Sequence, residues 1–143
     1  MATNPQLLVL AAFAQVMLTV VVLLVLGARR RVAYKAGKVG REAMLDDRVW
    51  PSFVLKASNN YKNQFEIPVL FFAVVATALA VKAATPLFVW LAWGFVAARI
   101  VHSICHCGSN RLPVRFVSFF ASVIAVTIMW AMLAAHVFST GTI

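Results

Sequence analysis

Arg99-Ile100-Val101-His102-Ser103-Ile104-Cys105-His106-Cys107-Gly108-Ser109-Asn110-Arg111-Leu112-Pro113-Val114-Arg115 joins the ends of two strongly apolar segments. The stretch holds three of the 13 cationic side chains, two of the three histidines and both cysteines. Read as a helix, it sets Arg99, His102 and His106 at i, i+3 and i+7, on one face. Pro113 suits the start of a second helix, because the first helical position needs no N–H donor. Arg115 then falls in the first turn of that helix, where the positive end of the dipole gives a cation no benefit. A positive helix end that carries an arginine suits an anion.

Working outward, the composition sets the class. Of 143 residues, 63% are hydrophobic and only 12% charged, with a mean hydropathy of +0.90. A soluble domain is about half apolar and about a quarter charged. Four apolar segments, at roughly 6–28, 52–82, 86–107 and 113–138, each have the length of about 20 residues that a helix needs to cross a bilayer. The alternating strands of about ten residues that a membrane barrel requires are missing from the pattern. The expectation is an all-α membrane protein, a single four-helix domain over residues 1–143.

The first apolar run is too long for a cleaved signal peptide and has no basic residue before it, so it reads as a permanent anchor. The formal charge of +9 is no nucleic-acid signature, since the cations cluster at the segment edges and leave no soluble domain. Seven of the 13 cations lie in a loop expected at 29–50, and the loop at 108–112 is again basic. By the positive-inside rule both loops face the cytoplasm and both termini lie on the other side. Within the first segment Gln15 and Thr19, at i and i+4, read as a helix–helix contact, as do Ser118, Ser122 and Ala125 in the last. Cys105 and Cys107 are two apart, so their side chains diverge on a helix and a disulfide between them is not expected.

The second segment is unusual. It opens on Trp50-Pro51, and its first turns carry Lys56, Asn59, Asn63 and Glu66 at the spacing of one helical face. Glu66 is the one acid outside the first loop, and a carboxylate inside hydrocarbon costs about 2.5–3.5 kcal/mol on insertion scales. It therefore marks a ligand site or an ion pair with Lys62 or Arg99. Pro68 removes the hydrogen bond to residue 64 and is expected to bend the helix. Together with Arg99, His102, His106 and Arg115, these groups describe a mostly cationic pocket at the cytoplasmic membrane edge. Such a pocket suits a small anionic zwitterion that meets a lipophilic partner arriving from the bilayer.

Two stretches carry a family resemblance: Asn63-Gln64-Phe65-Glu66-Ile67-Pro68, and Ala98-Arg99-Ile100-Val101-His102 through Gly108 followed by Arg111-Leu112-Pro113-Val114-Arg115. In order and at matching depth they resemble the membrane-associated proteins in eicosanoid and glutathione metabolism (MAPEG), closest to the microsomal prostaglandin E synthase and glutathione transferase branch. The resemblance covers nearly the whole chain. It implies a homotrimer of four-helix subunits with glutathione bound between neighbours near the cytoplasmic face. Carried over, Asn63 and Glu66 would hold the glutathione backbone, Glu66 at its amino group. Arg99, His102 and His106 would complete the binding set, with Arg30 matching an arginine after the first helix. Arg115 would be catalytic, because a guanidinium beside the sulfur favours thiolate over thiol. No metal is implied.

The chain also departs from that branch. His106 stands where it has a tyrosine, Phe116 where it has a serine, and Asn59 where many members have an arginine. The alternative reading is therefore a non-catalytic lipid-binding or scaffold protein of the same architecture. Further from the resemblance stand a metal or haem site built from His102, Cys105, His106 and Cys107 and a proton-coupled transporter centred on Glu66.

Overall fold

A computed structural model describes residues 3–141, apart from the side chain of Met44. The regular elements are α1 (Asn4–Lys35), α2 (Ser52–Lys62), α3 (Ile67–Ala80), α4 (Pro86–Cys107) and α5 (Leu112–Thr140), with no strand among the described residues. Single 3-10 turns occupy Arg41–Met44, Asp47–Val49 and Asn63–Phe65. Four stretches are long and apolar enough to cross a membrane: α1, α2 with α3 taken together, α4, and α5. The all-helical, four-span expectation holds.

Proline starts three of the long helices, sitting in the first turn of α1, α4 and α5, where no donor is needed. The Thr85 hydroxyl also caps α4 by accepting from the Phe88 amide, satisfying one of its orphan donors. Outward faces are largely apolar, as suits a bilayer: Phe13, Leu24, Trp90 and Phe138 are all exposed. The core runs along the inner faces. Phe71 and Phe95 stack with ring centroids 4.2 Å apart, packed among Leu8, Val74, Phe88 and Met129. The α4–α5 pair is antiparallel about the short turn 108–111. That turn is closed by the Asn110 amide donating to the Cys105 carbonyl at 2.8 Å, with Asn110 itself at φ 53°.

Two boundaries differ from the sequence expectation. The first helix does not stop near residue 28; α1 continues to Lys35, so Arg29, Arg30 and Arg31 lie on helix rather than in loop. Arg29 explains the extension. Its guanidinium donates to the Phe53 carbonyl at 2.7 Å and to the Cys107 carbonyl at 2.8 Å, tying α1 to the start of α2 and the end of α4. The second segment is not a bent helix but a broken one. The interruption covers Asn63 to Glu66 and precedes Pro68, which sits in the first turn of α3.

A polar network holds this break. Gln15 Nε2 donates to Gln64 Oε1 at 3.1 Å. Gln64 Nε2 in turn approaches the Asn60 carbonyl, Asn60 Oδ1 and Ser103 Oγ at 3.2, 3.3 and 3.2 Å. The Ser103 hydroxyl donates to Asn60 Oδ1, and Asn60 Nδ2 donates to Cys107 Sγ at 3.2 Å. Gln15, Asn60 and Gln64 are all but sealed from solvent. Non-helical backbone at membrane depth is tolerated only where protein or a cavity surrounds it, and here protein does so on one side and a cleft on the other.

Candidate functional site

The cleft lies where the α2–α3 break faces the α4–α5 corner, and measures about 560 Å³. One wall is polar: Asn59, Asn63, Glu66, His102, His106 and Arg115. The other is apolar, made by Leu112 with Phe116, Phe119 and Phe120 on α5. Five residues expected from the sequence, Asn63, Glu66, His102, His106 and Arg115, therefore meet in one concavity.

Each is aimed by local structure. The i, i+3, i+7 spacing along α4 sends Arg99, His102 and His106 inward, and all three are buried. Arg115 stands in the first turn of α5, where its Nη1 donates to Asn110 Oδ1 at 2.8 Å and is thereby steered by the turn residue. Asn63 and Glu66 bracket the 3-10 turn, so the break rotates them toward the cleft while Gln64 points the opposite way into the core.

Arg99 lies beneath this floor with no exposed surface. Its Nη2 donates to the Asn63 carbonyl at 2.7 Å, and its guanidinium carbon sits 6.0 Å from the Phe119 ring centroid. Its Nε and Nη1 have no partner among the described residues. A buried cation with two unmet N–H groups is expensive, since an isolated charge loses several kcal/mol of hydration in the interior. Glu66 forms no ion pair within 4 Å among the described residues, although the charge of Arg99 acts across the gap. Lys62, the other partner considered for it, is committed elsewhere: its ammonium is 2.8 Å from Asp47. An unpaired carboxylate thus lines the cleft, and unmet cationic donors lie beneath its floor.

Arg30 is not brought to this cleft within the protomer. It pairs with Asp47 at 3.3 Å, lies over the Trp50 ring at 5.2 Å, and lines a separate surface pocket with Arg31 and Tyr34. Nor do the two cysteines converge with the histidines. Cys105 Sγ turns to the Arg111 carbonyl and Cys107 Sγ accepts from Asn60. Among the described residues no three His, Cys, Asp or Glu side chains are grouped to hold a metal ion. The residues that sequence reasoning missed are Asn60, Gln64 and Ser103, which build the support of the site rather than its wall. The polar run Ser58 to Gln64 was the available signal, and its i, i+4 pair Asn60 and Gln64 is turned by about 100° from Asn59 and Asn63.

The fold and cleft define a polytopic four-span helical membrane protein with a charged pocket between its second and third spans and the start of its fourth. The profile of the MAPEG family matches residues 7–135. That is nearly the full length, and the chain belongs to this family. Comparison with curated proteins gives no match, and neither does comparison with solved structures.

Proposed function

We propose that the chain is a glutathione-dependent membrane enzyme, of transferase or peroxidase type, acting on lipophilic electrophiles. On this reading it works as a homotrimer, with both termini on the non-cytoplasmic side and the cleft near the cytoplasmic face. The carrying observation is a carboxylate and a cation with opposite needs, one on the cleft wall and one beneath its floor. Glu66 on the cleft wall has no cation within ion-pair distance among the described residues, while Arg99 carries two unmet buried donors beneath the cleft floor. A tripeptide with one ammonium and two carboxylates answers both. Glu66 takes the amino group, Asn63 the backbone and Arg99 a carboxylate, with His102 and His106 on the side of the thiol. Arg115 faces the sulfur, where its charge favours thiolate over thiol. The phenyl wall admits an electrophile from the bilayer. Since one fold hosts several activities, the proposal rests on the cleft and not on family membership.

The test is glutathione binding to purified protein in lipid nanodiscs, with the ultraviolet absorbance of the thiolate recorded in parallel. Wild type is expected to bind and to show the thiolate band. Arg115→Ala is expected to lose the band while eluting at the same oligomeric mass. Folded protein that gives no binding signal at millimolar glutathione refutes the proposal. One observation favours the second reading, a lipid-binding scaffold: Phe116 is exposed and, with Phe120, turns the cleft mouth into an acyl-chain surface. That reading predicts bound lipid and no turnover with any electrophile.

A further inference from the structure

Two imidazoles stand in series on the cleft side of α4. His102 Nδ1 lies 3.0 Å from the Arg115 carbonyl oxygen, and His106 Nδ1 lies 3.3 Å from His102 Nε2. The rings are perpendicular, with centroids 5.3 Å apart. For two neutral rings these contacts fix where the hydrogens are. A carbonyl oxygen only accepts, so His102 Nδ1 carries the hydrogen. A neutral His102 then has a bare Nε2, which only accepts, and His106 Nδ1 must be the donor to it. A neutral His106 is left with a bare Nε2. That atom has no partner among the described residues, and the ring lines the same cleft as Arg115. One backbone oxygen thereby sets the tautomer of two rings, and the chain of bonds ends in a lone pair offered to the cleft.

We propose that His106 Nε2 is the proton acceptor for the bound thiol, with His102 as the positioning residue that holds it in the accepting tautomer. This rests on the glutathione reading above and adds to it the fate of the proton. In the step, the S–H bond breaks, an N–H bond forms at His106 Nε2, and the electron pair stays on sulfur facing Arg115. The product is a thiolate–imidazolium pair, and no proton leaves for solvent. On addition to an unsaturated electrophile the C–S bond forms, and the electron pair displaced onto the electrophile takes the proton back from Nε2. His106 then returns to its starting state.

The experiment counts protons. Glutathione is titrated calorimetrically into the full-length protein in nanodiscs, in buffers of differing ionisation enthalpy, with thiolate absorbance measured at the same pH. Wild type is expected to release well under one proton per thiolate formed. His106→Phe, which keeps an aromatic ring and removes the acceptor, is expected to form thiolate only with release of a full proton to buffer. S-methylglutathione, which has no thiol proton, is expected to show the same proton count with wild type and with His106→Phe. A full proton released per thiolate in wild type overturns the proposal whatever the variant does. So does a proton count unchanged by His106→Phe. If glutathione binds without any thiolate band, the proton-transfer step falls and the binding site stands. If glutathione does not bind at all, the functional reading falls and takes this one with it.

Discussion

Gln64→Met tests whether the α2–α3 break is held by the buried amide network. Methionine keeps the unbranched shape of glutamine and removes its polar end. Gln64 has four polar contacts, with Gln15, twice with Asn60, and with Ser103. Three of them share the two hydrogens of Nε2, so at most three bonds are lost at once. Interhelical hydrogen bonds inside membrane proteins average about 0.6 kcal/mol, which gives a cost of about 2 kcal/mol, or about thirtyfold in the folding equilibrium. Gln15→Met loses one such bond and also removes Oε1, which has no partner; its cost is about 0.6 kcal/mol or less. The double variant is expected to cost little more than Gln64→Met alone, because replacing both partners leaves nothing unpaired between them. Reversible unfolding in mixed micelles, with rising denaturing detergent, measures all four members of this cycle. Strictly additive costs, or a Gln64→Met cost under about 0.5 kcal/mol, would refute the reasoning, since the measured coupling would then fall below what a single buried bond supplies.

Three further outcomes follow from the geometry. Arg99→Met is expected to leave the thermal stability of unliganded protein nearly unchanged, because the lost bond to the Asn63 carbonyl is offset by removing two unmet buried donors. Glutathione affinity by calorimetry should nonetheless fall about ten- to hundredfold, the size of about 1.5–3 kcal/mol in charge-assisted bonding. Arg29→Met cuts both the Phe53 and Cys107 tethers and should lower unfolding free energy by about 2 kcal/mol. In the first loop, the hydrogen bond from Lys62, aided by the nearby Arg30 charge, holds the Asp47 carboxyl below its ordinary pKa. A depressed folded-state pKa stabilises above the usual carboxylate value of about 3.9 and loses that contribution as pH falls through the folded one. Since both partners are largely exposed, the gain is under about 1 kcal/mol. Asp47→Asn should show it as a small stability deficit at neutral pH that closes in acid.

The four spans were legible because a bilayer imposes a length and a composition on every crossing helix, and the third segment ends where its residues change character, at Cys107. The cleft residues were legible for a related reason. Asn63, Glu66, Arg99, His102, His106 and Arg115 are costly where they stand, and cost in an apolar setting singles them out. The break at Asn63–Glu66 was not legible, because Pro68 drew attention to its own position. A proline in the first turn of α3 is compatible with an ordinary helix start and says nothing of Asn63 to Glu66 before it. The extension of α1 was hidden for the opposite reason. Arg29-Arg30-Arg31 reads as the end of a hydrophobic segment, and only the Phe53 and Cys107 carbonyls, distant in sequence, show why the helix goes on. The histidine series lay between these cases. The i, i+4 spacing was visible, whereas the hydrogen positions depend on the Arg115 carbonyl across the turn.

The interrupted second span has a consequence for how the chain enters its membrane. Its uniformly apolar part, Ile67–Ala80, has 14 residues, which at 1.5 Å per residue is about 21 Å of helix. Hydrocarbon is about 30 Å thick, so this piece falls short of a full crossing. The remaining depth is covered by Ser52–Lys62 and the 3-10 turn, whose amides find their partners on α1 and α4. Of these only α1 has left the ribosome when the second span reaches the translocon; α4 is made later. Stable integration of this segment must therefore await the third, and the order of synthesis leaves it the last of the first three to settle.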